Sequence, residues 1–201
     1  MAETCLPRKD KGDVVTQRQK LWIFTAALIA LAFCGPHKAA AGLRGDVCCY
    51  IRHKAPVNLT TASTIAAALV AGAKNISCRR AGDSREEILW LSLLVGIAQT
   101  ESGFVPTARS SKDALGIMQI HWPTWGTKLQ HYGFGKESLF NPTVNVLCGA
   151  AIFSDYLFDS QGNIVAALYA YYGAPDPRYA KKVIRCAVAF ASTEKRKELQ
   201  R

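Results

Sequence analysis

The stretch SREEILWLSLLVGIAQTESGFVPTARSSKDALGIMQI, residues 84–120, decides how this chain folds. It opens with a capping box: Ser84 stands at the helix cap and Glu87 three residues on, where its side chain can reach back to the cap amide. Behind the box, Ile88, Leu91, Leu94, Val95 and Ala98 recur at helical spacing and form one apolar stripe. Gly103 supplies the stop, because glycine adopts the left-handed conformation that closes helices. Glu101 lies three residues past Ala98 and seven past Leu94, so it projects from the apolar face at the very end of the helix. A carboxylate there loses hydration and meets the negative end of the helix dipole, and both effects raise its pKa. A raised pKa is what a general acid needs.

Reading outward from this helix, strand signals are weak and helix signals frequent. Residues 110–119 read as a turn and a short extended piece, which allows one small hairpin between Phe104 and Ile120. A short helix is expected after Pro123. Asn141-Pro142 pairs a cap with proline at the first helical position and starts a helix to about Phe158. Asn163 caps another over 164–172, ended by Gly173, and Asp176-Pro177 opens the last, which carries the basic C-terminus. On the N-terminal side, 60–74 is alanine-rich and helical, 79–83 is a polar break, and 42–59 shows no clear period and reads as an extended arm. The fold class is therefore all-α with at most a small hairpin. The order of parts is a leader at 1–41, an arm and helix at 42–83, a catalytic domain at 84–190 and a basic tail at 191–201.

Composition narrows the setting. The chain has 201 residues, about half of them apolar, and a net charge of +10, enough length for one domain with a core that needs no disulfide. The positive charge is spread in short clusters, Arg79-Arg80, Lys181-Lys182 and Lys195-Arg196-Lys197, over a solvated surface that also suits an acidic polymer. No zinc finger, basic zipper or other nucleic-acid module is present, so nucleic acid is not the expected partner. Arg18 and Lys20 precede an apolar run of 13 residues, 21–33, followed by Gly35-Pro36 and Ala39-Ala40-Ala41. Such a run reaches about 20 Å as a helix, short of a bilayer core. It has the order of an export signal cleaved near Ala41, which directs the chain to the periplasm. The 20 residues ahead of the run keep an uncleaved anchor open. Beyond the leader stand Cys48, Cys49, Cys78, Cys148 and Cys186, an odd number, read as structural, with pairing plausible in an oxidising compartment. His53 is five residues from Cys48 and no second ligand pair follows, so no metal is expected; no nucleotide or flavin motif occurs, so no cofactor is expected either.

Glu101-Ser102-Gly103-Phe104 followed by Ala114-Leu115-Gly116-Ile117-Met118-Gln119-Ile120 resembles the catalytic signature of the soluble lytic transglycosylase family. Asn145, Gly149 and Tyr156-Leu157 resemble that family's next helix, and Ala167-Leu168-Tyr169-Ala170-Tyr171 its last motif. The resemblance covers residues 86–188, with four pieces in order at family spacing. It implies a lysozyme-like fold and cleavage of peptidoglycan glycan strands by a single acid and base, Glu101, with closure of a 1,6-anhydro ring. It implies that Ser102 orients Glu101, that Met118 and Gln119 line sugar subsites, that Gly116 lets the backbone approach the glycan, and that Tyr171 donates a hydroxyl near Glu101. Short exported members of the family often open the wall for secretion, conjugation or phage machinery, so a cell-envelope secretion or conjugation apparatus is a possible partner. The sequence departs from the family in two places. Asp113 stands where glycine is frequent; it reads as a turn residue, the alternative being the second carboxylate of a hydrolytic lysozyme (muramidase). Tyr172 stands where the family usually has asparagine, so that asparagine's role is not carried over. Trp122 and Trp125 are either sugar-stacking or core aromatics. A non-catalytic wall-binding module is the remaining alternative.

Overall fold

The computed structural model describes residues 38–80 and 84–198. Seven α-helices occur among them: α1 (Lys38–Lys54), α2 (Leu59–Arg79), α3 (Ser84–Glu101), α4 (Trp122–His131), α5 (Pro142–Asp159), α6 (Ile164–Tyr172) and α7 (Pro177–Glu198). A 3-10 helix at Lys136–Phe140 precedes α5. Two short strands, β1 (Ala114–Leu115) and β2 (Ile120–His121), pair antiparallel with Ala114 opposite His121 and Leu115 opposite Ile120. The all-α class with one small hairpin is what the pattern of caps and stripes implied.

Local chemistry sets most boundaries. The Asn58 side chain accepts from the Thr61 amide at 2.8 Å and starts α2. Asn141 accepts from the amides of Thr143 and Val144 ahead of Pro142, and Asn163 accepts from Ala166, each satisfying donors that a helix start leaves unpaired. Gly173 closes α6 with φ +86°.

Helix α3 is the centre of the molecule. Trp90, Leu91, Leu93, Leu94, Val95, Ile97 and Ala98 are all buried, so this helix is covered nearly all round rather than along one stripe, as a core helix must be. It packs against α2 on one side and α7 on the other; α2 also packs on α1 and α5. Gly96 makes the α3–α7 crossing possible: a Cβ there would stand 2.5 Å from the Val183 carbonyl oxygen. The two backbones therefore meet closely just before the C-terminal turn that carries Glu101.

The segment expected as an extended arm is helical instead. In α1, Val47, Cys48, Tyr50, Ile51 and, just beyond it, Ala55 are buried, with 47, 51 and 55 one turn apart. Tyr50 meets Phe190 of α7 edge to face at 5.2 Å and donates to Gln99 Oε1 at 2.8 Å. The stripe is narrow, and Gly42, Gly45 and five charged or histidine side chains over 44–54 dilute it. Tertiary burial, about 1.5–3 kcal/mol for each large apolar side chain, outweighs the poor helical propensity. Cys48, Cys49, Cys78, Cys148 and Cys186 are all free thiols, so no disulfide forms among the described residues. Burial pushes the Cys148 thiol up to about 12, which keeps it un-ionised and unreactive. The expected leader lies, except for its last four residues, outside the described residues. No described helix is long and apolar enough to cross a membrane.

Candidate active site

The chain reverses sharply after Glu101. Gly103 and Phe104 both take left-handed backbone angles, φ +61° and +66°, and their amides return to the Gln99 and Ala98 carbonyls. Phe104 is fully buried, and that burial holds a non-glycine residue in a conformation it disfavours. The reversal aims the following chain back across the helix end.

The chain then builds a clamped loop over 108–119. Asp113, at φ +63°, forms the turn before β1, in agreement with its reading as a turn residue. Its carboxylate pairs with Arg109 at 2.9 Å and Lys136 at 2.6 Å. The hydrogen bond from Lys136 first, then the Lys136 and Arg109 charges, hold its pKa below the usual aspartate value against the opposing effect of burial. Between the strands, Asn145 of α5 holds three backbone groups from a buried position. Its Oδ1 accepts from the Met118 amide at 2.7 Å, and its Nδ2 donates to the carbonyls of Leu115 at 2.9 Å and Leu139 at 2.8 Å.

The loop shows where the other expected site residues stand. Ser102 does not bond Glu101; its hydroxyl donates to the Ile117 carbonyl at 2.8 Å and ties the helix end to the loop. Gly116, at φ +71°, is needed for contact with the protein itself. A Cβ there would stand 2.3 Å from Asn145 Nδ2 and 2.4 Å from the Leu139 oxygen. Met118 is fully buried against Gly149, so its side chain is part of the core. The Gln119 amide nitrogen donates to the carbonyls of Gly116 at 2.9 Å and Ala108 at 3.3 Å; it braces the loop from a residue itself at φ +47°. Tyr171 donates to the Met118 carbonyl at 2.9 Å rather than to Glu101, although the Glu101 charge, after burial, contributes to raising its pKa. Trp122 and Trp125 are both half-buried. Trp125 meets Tyr156 edge to face at 6.1 Å and Lys128 lies over its ring, so it belongs to an aromatic cluster on the core's edge.

The hydroxyl that does reach Glu101 comes from Tyr179, in the first turns of α7, which donates to Oε1 at 2.6 Å. Sequence reading missed it. Its signal was the stripe Tyr179, Val183, Ala187, Phe190, all buried, which turns α7 toward α3. Lys182, one turn on, reaches the Thr100 carbonyl at 3.4 Å. The Glu101 pKa is raised from 4.5 to about 7 by burial, with the Tyr179 bond and the Lys182 charge pulling the other way. Glu101 is thus a half-buried carboxyl that exchanges its proton near neutrality, set over a rigid loop. Among the described residues no cluster of His, Cys, Asp and Glu could hold a metal ion.

Comparison with known proteins bears on this arrangement. The transglycosylase SLT domain model matches residues 80–183. A transglycosylase of Enterobacteria phage PRD1 is 36% identical over 81 residues, which are 40% of this chain and 28% of that protein. The membrane-bound lytic murein transglycosylase C of Serratia proteamaculans is 42% identical over 82 residues, 38% of this chain and 22% of that protein. The chain therefore spans about a quarter of the length of these relatives. No solved structure matches it. The family model covers just over half of the chain, from just before α3 into the first turns of its crossing partner α7, and the chain belongs to the transglycosylase SLT domain family, that of the lytic transglycosylases.

Proposed function

We propose that the protein is a peptidoglycan lytic transglycosylase that cleaves the β-1,4 bond between N-acetylmuramic acid and N-acetylglucosamine. The observation that carries this reading is Glu101: a carboxyl titrating at about 7, with Tyr179 hydrogen-bonded to it. As the acid, Glu101 gives its proton to the glycosidic oxygen, and the C1–O bond breaks. As the resulting carboxylate, it takes the proton from the muramic acid 6-hydroxyl while O6 bonds to C1. The proton returns to Glu101, no water is consumed, and the product carries a 1,6-anhydro end. Because O6 is tethered to the ring it attacks, effective molarity on the order of 10⁵ M or more replaces an activated water. Asp113 supports the single-carboxylate reading, since its oxygens are engaged by Arg109 and Lys136. Ser102, Gly116, Gln119 and Tyr171 then serve the reaction indirectly, by fixing the loop under the scissile bond.

The setting proposed with it is the periplasm, reached by the leader in residues 1–41, with glycan strands as substrate and the net charge of +10 favouring an anionic wall polymer. Wall opening for a cell-envelope secretion or conjugation apparatus is the role proposed there. The reaction is tested in ¹⁸O-labelled water on purified sacculi, with products analysed by mass spectrometry. Unlabelled anhydro ends are expected, and Glu101→Gln should lose about 10² to 10⁴ in rate. Label at C1 of the main product would identify hydrolysis and make Asp113 the first suspect. Binding without any new ends would identify a non-catalytic wall-binding module.

A further inference from the structure

Tyr172, the last residue of α6, is 50% exposed. Its ring lies on that of Tyr179 with centroids 4.5 Å apart and planes inclined by 19°. The near-parallel stack covers one face of Tyr172 and leaves the other turned outward. Tyr179 is buried beneath it and donates to Glu101. Two stacked rings therefore lead from the half-buried carboxyl to the surface. The outer face is unobstructed on its chain side: residues 172–175 are all exposed, and nothing lies within 4 Å of where a Cβ on Gly173 would stand.

We propose that the outer face of Tyr172 is a stacking platform for a pyranose ring of the glycan strand, beside the bond presented to Glu101. This rests on the reaction proposed above. A pyranose offers a flat side of C–H groups, weakly positive, and an aromatic ring offers a negative π face; the two are complementary in charge and shape. The Tyr179 stack fixes the ring beforehand, so little rotamer freedom is lost on binding. An asparagine side chain, usual in the family at this place, has no aromatic face to offer. Tyr172 gives this chain a different kind of contact at the same position.

Binding and turnover are measured separately to test it. Glu101→Gln is used to bind purified glycan strands without cutting, with Tyr172 intact, Tyr172→Ala or Tyr172→Phe. Tyr172→Ala should weaken binding about tenfold, the scale of one good aromatic contact, and Tyr172→Phe should restore it, because the face and not the hydroxyl is used. In the cutting enzyme the same loss should appear in KM, with the alkaline limb of the pH profile unmoved. Equal binding by Tyr172→Ala, or a phenylalanine variant as weak as the alanine one, overturns the platform. A loss confined to kcat with a shifted alkaline limb also overturns it, since Tyr172 would then only prop Tyr179. If unmutated enzyme makes no anhydro ends, the proposed reaction fails, and the binding series still decides the platform.

Discussion

Three influences set the charge of the Glu101 carboxyl, and they oppose one another. Burial raises the pKa, the Tyr179 hydrogen bond and the Lys182 charge lower it, and the balance stands at about 7. Such a group is protonated often enough to give a proton and ionised often enough to take one back. In the proposed reaction the free enzyme acts with Glu101 protonated, so kcat/KM falls as pH rises through that value. Tyr179→Phe removes a bond made to the carboxylate, which destabilises the charged form and raises the pKa. The alkaline limb should therefore move to higher pH, by on the order of one unit, since hydrogen bonds to charged groups are worth about 1.5 kcal/mol or more. Lys182→Met should move it the same way by less, and added salt should erase that smaller shift, because Lys182 is exposed. A limb that stays in place or moves to lower pH in Tyr179→Phe would mean that another group titrates. Glu101 itself was legible in the sequence, because its depth and helix-end position follow from counting along one stripe. Tyr179 was not, because 78 residues separate it from Glu101 and only the α3–α7 crossing brings them together.

The elements most exposed in the sequence were those with their own punctuation. Asn141-Pro142 and Asn163 with Gly173 mark helix ends by local hydrogen bonding, which needs no tertiary partner. α1 carries no such mark, and its narrow stripe becomes meaningful only against α2 and Phe190. The loop shows the same division. The Gly-Ile-Met-Gln segment was recognisable and was read as facing the sugar; the structure adds that Gly116, Met118 and Gln119 serve the protein's own packing and hydrogen bonding. What the sequence could not convey is that Asn145 reaches across from α5 to hold this segment. Asn145→Ala would leave the Met118 amide and two carbonyls, all held from a buried position, without that partner. Each buried unsatisfied group costs about 1–3 kcal/mol, so denaturant titration should show a loss of about 3 kcal/mol or more. The residual activity at a temperature where the variant is folded should also fall, because the loop under the bond is no longer pinned. A loss below about 1 kcal/mol would show that the loop holds its shape without Asn145.

At the scale of the molecule, the family match starts at residue 80, whereas the apolar core does not. Ile51 of α1, Leu69 of α2, Leu94 of α3, Phe153 of α5, Leu168 of α6 and Phe190 of α7 belong to one continuous buried cluster. We propose that the folding unit begins at α1 rather than at the catalytic motif. Deleting α1 would uncover the face of α2 that meets it and the edge of Phe190 that meets Tyr50, and would remove the Tyr50 bond to Gln99 in the helix that ends in Glu101. Val47, Tyr50 and Ile51 are buried; at about 1.5–3 kcal/mol per large side chain, the burial they share with α2 and α7 is comparable with the net stability of an ordinary domain. A chain beginning at Asn58 should therefore melt more than about 10 °C below one beginning at Gly42, given the few degrees that each kcal/mol moves the midpoint in a domain of this size. It should also lose the proposed wall-cutting activity in step with the fraction unfolded. Thermal melts of the two chains, followed by circular dichroism, make the comparison. Equal midpoints with equal activity would show that α1 is an appendage, and would confine the folding unit to α2 and the matched domain.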